Sequence, residues 1–544
     1  MDWSTWRRRI LLIALVAAIS HLPDGVLSAQ RPGRAPQSSE GPWFGVPLPP
    51  SVIEPAVIVG DRAPRPIALP AGEPSAPELT GSVIRKTLET IVGFSKESRT
   101  TRDLGSAQIW GRVSGYPSEM RVTNWAADEF RKAGIKDVKL QPVNQPANAR
   151  FWMPLSWEVK LLADPAFGAG SADVVLTSAM PRGPSEIEGG TMTAAVVDVG
   201  TASAAILEHI DLKGKIAVQR IVPQTYTVFE RENVVSRAAA LRRRGAVGVL
   251  NLLQLPGNTL TNDLGCGNLC FNIGGQDGYF LERVLDRAAQ KSAADKVRVQ
   301  LSLKTESRSN LQAQNAVAII AGKTSDETII LDAHVDGWFD GASDNGDGFA
   351  VMMALARHFA KPENAPARTL VFIASAGHHS PGLNGPTAFV AANPELVKKA
   401  VLVLNIEHVA ARNFSWARTE APDGYRQAIA DSSEVTLYAG VSNKAAFLDN
   451  LIAQGGQRYG ANLLSARSDL ETGEMGGFTK PMAHAARVTL IQSFPGYHTT
   501  GDVLEMTSTP GLERVARTLA FFVKGVDKTQ RSNIIVPSEP TQFE

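Results

Sequence analysis

The sequence predicts an α/β fold: a mostly parallel central sheet flanked by helices, with a small β-rich domain inserted ahead of most of that sheet. Near-continuous apolar runs follow residue 310, and such runs are typical of strands buried on both faces of a parallel sheet: AVAIIAG, TIILDAHVD, TLVFIASAG and AVLVLNIEHV. Helical patterns at 348–359 and 385–392 lie between these runs, and the alternation favours a doubly wound arrangement. Shorter β-type runs such as ADVVLT and GKIAVQRI, between about 155 and 305, indicate a second sheet.

Length and charge limit the classes of function. A chain of 544 residues is too long for one hydrophobic core and predicts two or three domains. The 55 basic and 54 acidic side chains leave a formal net charge of +1. This balance provides no general attraction to nucleic acid or anionic lipid, so we expect no nucleic-acid partner.

The N-terminus has the layout of a signal peptide. Arg7, Arg8 and Arg9 precede an apolar run at 10–19, which is shorter than the ~20 residues needed to span a bilayer. Small residues at Ser28 and Ala29 suit cleavage after Ala29. We therefore predict an exported protein, periplasmic or extracellular, with no stable membrane span after cleavage; an uncleaved anchor is the alternative.

Changes in composition suggest the domain boundaries. Residues 30–80 are rich in proline and predict a linker or a surface-draped arm. Helical spacing from Ser82, a second helix at about 120–133 and the strand VKLQPV open the main domain, over 81–154. The insert follows at 155–308, the main domain resumes at 309–527, and 528–544 form a tail.

The chain has two cysteines, Cys266 and Cys270, four positions apart. In an oxidising compartment this spacing favours a local disulfide. A zinc site is the weaker alternative, because there is no second cysteine pair to complete four ligands.

The segment LDAHVDGWFDGASDNGDG combines an apolar strand with acids and histidine. His334 ends the strand, and Asp336 is placed to hydrogen-bond its ring and set the tautomer. Asp344 lies in a glycine-rich turn that opens a helix, where a carboxylate can bridge two cations. A polar turn followed by a helix cap is the alternative interpretation.

Three later strands also end in polar residues. His378 and His379 follow TLVFIAS, Glu407 follows AVLVLNI, and His498 follows RVTLIQS, with Asp502 placed to orient a neighbouring group. Taken singly, these are a surface histidine pair, a capped strand end and a structural histidine. Because sites in open α/β sheets form at the carboxyl ends of strands, we expect the side chains to meet in a metal site.

Four motifs in this order resemble the zinc metallopeptidase family that includes aminopeptidase S and glutamate carboxypeptidase II: AHVDGWFDGASDNGDG, IASAGHHSPGLNG, LNIEH and PGYHTTGD. GKIAVQR and RRRGAVGVLNLL resemble the protease-associated insert of that family. The resemblance implies an exopeptidase of the aminopeptidase type that acts on peptides with a zinc-activated water. It implies two zinc ions bridged by Asp344, with His334 and Glu407 on one ion and His498 on the other.

The sequence departs from the family at His378 and His379, where the family has a Glu-Glu pair. His379 can replace a carboxylate ligand, and His378 becomes the candidate general base. Nearby cations should lower the pKa of His378 and weaken it as a base. Fewer carboxylates also predict one tightly held zinc, a weaker second site and slow hydrolysis. The alternative is an inactive, receptor-like binding protein on the same scaffold.

Overall fold

A computed structural model describes residues 41–49, 57–58, 62–222, 231–254, 257–418, 426–442, 446–468, 472–494 and 496–535. The predicted signal peptide over residues 1–29 lies outside these residues, as do parts of the predicted linker and tail. Among the described residues, no helix combines the length and the apolar character needed to cross a bilayer.

Strands of the described residues are numbered in chain order: β1 (Val57–Ile58), β2 (Gly111–Arg112), β3 (Asp137–Asn144), β4 (Phe151–Leu161), β5 (Val174–Val175), β6 (Met180–Pro181), β7 (Thr191–Asp198), β8 (Ile216–Ile221), β9 (Gly248–Leu253), β10 (Cys270–Ile273), β11 (Arg298–Arg308), β12 (Gln312–Ile320), β13 (Thr328–His334), β14 (Gly337–Trp338), β15 (Thr369–Ser375), β16 (Ala400–Ile406), β17 (Arg412–Arg418), β18 (Arg426–Glu434), β19 (Leu437–Val441), β20 (Leu463–Arg467) and β21 (Ala486–Ile491).

The α-helices follow the same rule: α1 (Gly81–Thr101), α2 (Pro117–Lys132), α3 (Ala204–Leu207), α4 (Arg231–Arg243), α5 (Gly275–Gln290), α6 (Gly348–Phe359), α7 (Gly385–Ala392), α8 (Pro394–Lys398), α9 (Ala446–Tyr459), α10 (Met475–Thr479), α11 (Thr509–Asp527) and α12 (Arg531–Ile534). Short 3-10 helices lie at Pro42–Gly45, Pro77–Leu79, Pro165–Phe167, Glu188–Gly190, Ala294–Lys296, Pro362–Asn364 and Leu504–Met506, and a π-helical turn lies at Ala342–Asp347.

The main sheet has eight strands in the order β20-β19-β21-β16-β13-β15-β12-β3. Its centre, β21-β16-β13-β15, is parallel. The flanking pairs are mixed: β12 is antiparallel to both neighbours, although its apolar run was expected to join the parallel set. The predicted α/β class is confirmed, as are the helices at 348–359 and 385–392, which are α6 and α7.

Helices cover both faces of this sheet. Ile329 and Leu331 of β13 belong to the cluster formed with α1, α2, α6 and α11, whereas Ile330 packs on the opposite face with Phe389 and Phe478. This alternation follows from the two-residue period of a strand. It explains why the central strands read as continuous apolar runs rather than alternating ones.

A second eight-stranded sheet is formed by residues 151–308, which include the insert predicted at 155–308, in the order β5-β4-β11-β7-β8-β9-β10-β6. Its β7-β8-β9-β10 part is parallel. The N-terminal arm reaches it: Trp43 is buried, stacks on Phe167 at 5.2 Å between ring centroids, and donates from its ring nitrogen to the Ala172 carbonyl. The exact domain boundaries stay a prediction.

The structure corrects the expected disulfide, because Cys266 and Cys270 are both free and buried. Cys266 Sγ accepts a hydrogen bond from Asn251 Nδ2 at 3.4 Å, and Cys270 Sγ lies 3.9 Å from the Leu264 carbonyl. Both thiols belong to an apolar cluster with Ala238 and neighbouring residues. Apolar packing and hydrogen bonds therefore hold this loop without a covalent link.

Candidate metal centre

The predicted residues lie at one edge of the main sheet. His334 is the last residue of β13, His379 follows β15, and Glu407 follows β16. His498 comes after β21, and Asp344 lies in the π-helical turn before α6. Since the four strands are parallel neighbours, their carboxyl ends meet at this edge, as the sequence argument expected.

Asp344 lies at the centre of the group, with a histidine pair beside each carboxylate oxygen. Its Oδ1 is 3.5 Å from His334 Nε2 and 3.0 Å from His408 Nε2. Its Oδ2 is 3.4 Å from His379 Nε2 and 3.0 Å from His498 Nε2. The arrangement offers two metal positions that share one bridging carboxylate.

The hydrogen bonds around Asp344 test whether these residues fit a metal. Within the described chain, four buried atoms of the group have no hydrogen-bond partner: His334 Nε2, Asp344 Oδ2, His379 Nε2 and His498 Nε2. Buried polar atoms are rarely left unpaired in native proteins. Imidazole nitrogens and a carboxylate oxygen are ordinary zinc ligands, so the donor set fits a transition metal.

Asp336 orients two of the imidazoles. Its backbone carbonyl accepts from His334 Nδ1 at 3.0 Å, and its Oδ1 lies 3.3 Å from the same nitrogen. Its Oδ2 accepts from the His379 backbone N–H at 2.9 Å. Burial raises the pKa of Asp336, but the contacts with His334 and His379 outweigh it and hold that pKa below its usual value. These contacts leave His334 Nε2 to face Asp344.

Asp502 and Arg112 support the turn that carries Asp344. Asp502 accepts from the backbone N–H groups of Ser343 and Asp344, at 2.7 and 2.9 Å. Arg112 is buried and donates to the carbonyls of Val335 and Gly341, both at 2.9 Å. Burial is the main reason that the pKa of Asp502 rises to about 7. The turn that carries Asp344 is therefore held by Asp502 and Arg112, which are not among the predicted metal ligands.

Sequence reasoning missed His408, which takes the place beside Asp344 that was assigned to Glu407. His408 has a φ of 47°, and its Nδ1 donates to the Gln492 carbonyl at 3.2 Å. The Asp344 contact and other nearby acids raise the pKa of His408 to about 9 despite burial. Its position next to Glu407 in the LNIEH motif was the signal that could have identified it.

Glu407 instead lies with His334, His378 and Glu474, each offering an atom within 4.8 Å of the others. Its Oε1 accepts from Asn405 Nδ2 at 2.8 Å and from the Glu474 backbone N–H at 3.3 Å. Glu474 was also missed. It lies between β20 and α10 and does not end an apolar strand, so no sequence signal pointed to it.

His378 contacts Glu474 directly. Its Nδ1 lies 2.7 Å from Glu474 Oε1, and its ring stacks on His334 with centroids 4.2 Å apart. Burial opposes protonation, but the nearby carboxylates of Glu474, Glu407 and Asp336 raise the pKa of His378 well above its usual value. The lowering predicted for His378 referred to nearby cations, and the contact with Glu474 acts in the opposite direction.

The insert contributes to the edge of the centre. Thr261 Oγ1 and the Asn262 backbone N–H both donate to the His498 carbonyl, at 3.0 and 3.2 Å. Asp263 Oδ1 lies 3.4 Å from His498 Nδ1. The loop 260–263 of the second sheet therefore positions a predicted metal ligand of the first.

Part of the chain matches a known protein family. Residues 315–523, which carry the four motifs, match the family described as Peptidase family M28. These residues form an M28 domain. The family supports a peptidase function and a metal cofactor for that domain.

A relative among curated proteins matches part of the chain. A probable glutamate carboxypeptidase of Arthroderma benhamiae is 30% identical over 207 residues, which is 34% of this chain and 28% of that protein. The match thus spans little more than a quarter of the relative's length.

Solved structures share the fold of the M28 domain and the insert together. A peptidase M28 precursor from Shewanella amazonensis is 17% identical with a TM-score of 0.58, covering 85% of this chain and 100% of that chain. The zinc aminopeptidase BSAP from Bacillus subtilis is 18% identical with a TM-score of 0.54, covering 85% and 99%. At this identity the likeness establishes the fold, and it confirms the predicted architecture.

Proposed function

We propose that the chain is a metal-dependent exopeptidase of the aminopeptidase type. The observation that carries this proposal is the Asp344 carboxylate, flanked on each oxygen by two imidazoles. Zinc supplies the hydrolytic chemistry when bound, by polarising the scissile carbonyl and activating water. A peptide substrate follows from the family, and the zinc aminopeptidase among the structural neighbours supports the aminopeptidase type.

In this proposal, different residues bind the metal, orient its ligands and act as the base. His334 and His408 would hold one metal together with Asp344, and His379 and His498 would hold the other. Asp336 keeps His334 in the required orientation. His378 stands beside this group as the candidate base; with Nδ1 engaged by Glu474, its Nε2 is the nitrogen left to exchange a proton with substrate water.

The charge of the centre supports slow hydrolysis. Asp344 is the one carboxylate within the two histidine-flanked positions, whereas the family pattern supplies several. Less negative charge weakens the binding of two divalent ions. Although burial opposes it, the Glu474 carboxylate also favours the protonated form of His378, and that form has no free nitrogen to accept a proton. We therefore propose reduced turnover and unequal occupancy of the two positions.

Zinc content and turnover test the proposal together. We expect purified full-length protein to contain zinc and to cleave aminoacyl anilides, with turnover abolished by a chelator and restored by zinc. Asp344→Asn removes the bridging charge and should lower zinc affinity and turnover by more than the ~10–100-fold that loss of an outer-shell partner costs. Asp340→Asn, in the same segment, is the matched control and should retain both. Turnover that survives complete zinc removal would contradict the proposal.

An inactive binding protein is the second candidate. The contact between His378 and Glu474 favours it, because the Glu474 carboxylate favours the protonated form of the residue at the position of the family base. Zinc bound at the centre without measurable turnover on any aminoacyl or dipeptide substrate would select this candidate.

Export is a separate part of the proposal. It rests on Arg7, Arg8 and Arg9 before a short apolar run and on the small residues up to Ala29. Mass spectrometry of the protein recovered from culture medium or periplasm should show a mature N-terminus after Ala29. Cell-associated protein that begins at Met1 would contradict export with cleavage.

A further inference from the structure

Three buried acids lie beside the Asp344 centre without a matching number of cations. Asp332, Glu407 and Glu474 are 0%, 1% and 3% exposed. Among the described residues, the basic group in direct contact with Glu474 is the imidazole of His378. Burying several carboxylates together is costly unless a cation or a proton balances them.

Two buried oxygens of these acids have no hydrogen-bond partner among the described residues: Asp332 Oδ1 and Glu474 Oε2. Glu474 Oε1 meets His378 Nδ1, but Glu474 Oε2 is buried and has no hydrogen-bond partner in the described chain. Glu407 is held in place by Asn405 and by the Glu474 backbone. Glu407 is thus oriented, and Glu474 beside it has an unpaired oxygen. Because buried polar atoms are rarely left unpaired, this arrangement suits a bound cation.

We propose that His378, Glu407 and Glu474 form a further divalent-cation site, distinct from the two positions at Asp344. These residues and His334 offer ligand atoms within 4.8 Å of one another, a separation suited to one ion. His334 Nε2 faces Asp344, so the new site draws its charge from the two glutamates. The site goes beyond the proposed peptidase centre, because His378 and Glu474 are not among the metal ligands expected from the motifs.

The ligand chemistry distinguishes this site from its neighbour. The Asp344 positions combine one carboxylate with four imidazoles, a set that suits zinc. The new site combines two carboxylates with one imidazole, and carboxylates favour harder ions such as Mn²⁺. His378 is 19% exposed at its side chain, which leaves the site open to solvent on that side. We therefore expect Mn²⁺ to discriminate between the sites better than zinc does.

Mn²⁺ titration of the metal-free full-length protein, read by the EPR signal of free Mn²⁺, tests the site directly. Glu474→Gln preserves shape and removes the charge, and it should bind one equivalent fewer than wild type or bind that equivalent at least ~10-fold more weakly. Glu188→Gln makes the same change at an exposed position and should bind as wild type. His408→Asn alters the Asp344 centre and should lower zinc content while leaving this Mn²⁺ equivalent.

Circular dichroism at each step shows that the variants fold, and Glu407→Gln replaces Glu474→Gln if the latter does not. Equal Mn²⁺ stoichiometry and affinity in wild type and Glu474→Gln would overturn the proposal and leave the His378–Glu474 contact as a hydrogen bond without a metal. That result would not affect the peptidase proposal, which is tested by zinc and by Asp344→Asn. If turnover did not depend on zinc while Glu474→Gln still bound Mn²⁺ less than wild type, the peptidase proposal would fail and the cation-site proposal would stand.

Discussion

Residues from several elements determine the pKa of Asp344. Burial raises the pKa of this carboxyl, but the contacts with His379, His408 and His498 hold it well below its usual value. The surrounding imidazoles therefore favour the ionised carboxylate, which is the form that can bind a metal. Each of these imidazoles follows a different strand of the parallel centre.

His358, near the end of α6, is a buried imidazole that does not belong to the metal centre. Its Nδ1 lies 2.7 Å from Glu78 Oε1, in contact with the N-terminal arm. Burial lowers the pKa of His358 and outweighs the Glu78 contact. Because the folded-state pKa lies below the unfolded value of ~6.5, the unfolded chain binds the proton first as pH falls.

We therefore predict that His358 reduces the free energy of unfolding as pH falls below ~6.5, and has little effect on its slope above that pH. In His358→Gln this contribution to the pH dependence should be absent, so the difference in stability between wild type and variant should shrink toward acid. Urea unfolding from pH 5 to 8 measures it. A difference that stays constant over this range would show that the His358 pKa is not lowered.

At the scale of elements, α6 begins very close to β16. A Cβ on Gly348 would lie 2.3 Å from Asn345 Oδ1 and 2.6 Å from the Ile406 carbonyl. Asn345 Nδ2 donates to that same carbonyl at 2.8 Å, which ties the Asp344 turn to the end of β16. Gly348 is helical, with a φ of −63°, so contact distance rather than backbone strain requires glycine here.

Gly348→Ala should therefore cost ~1–3 kcal/mol of stability by overpacking, and it should weaken zinc binding because the turn carrying Asp344 must move. The control is Gly93→Ala in α1, where a Cβ meets nothing within 4 Å; it should be neutral or stabilising by up to ~1 kcal/mol. Thermal unfolding and zinc competition with a chelating dye measure both effects. Equal stability of the two variants would mean that α6 shifts freely at its first turn.

At the scale of the whole molecule, the insert and the main domain meet at the metal edge. Thr500 and Leu260 exchange hydrogen bonds, with the Thr500 N–H donating to the Leu260 carbonyl and the Leu260 N–H donating to Thr500 Oγ1, both at 3.0 Å. Asn272 Nδ2 of β10 donates to the Thr261 carbonyl at 3.4 Å. A buried series of amides thus connects the second sheet to the loop that follows β21.

Asp263→Asn should test this connection. Its carboxylate lies 3.4 Å from His498 Nδ1, and losing a carboxylate that orients a metal-binding imidazole lowers metal affinity ~10–100-fold. Asp286→Asn, at an exposed position of α5, should leave zinc affinity unchanged. Isothermal titration of zinc into metal-free protein gives the comparison, and an unchanged affinity in Asp263→Asn would assign the insert no part in the centre.

The sequence by itself determined the architecture and most of the centre. Buried parallel strands leave long apolar runs, and the polar residue that ends such a run must lie at the sheet edge, so His334, Asp344, His379 and His498 could be assigned to one place. The tertiary structure decided the rest. Whether Glu407 or His408 turns toward Asp344 depends on the backbone after β16. Glu474 and Asp263 come from connections with no periodic pattern, and the thiols of Cys266 and Cys270 depend on local packing. These contacts form only when distant segments of the chain meet, so the residue pattern along the sequence does not predict them.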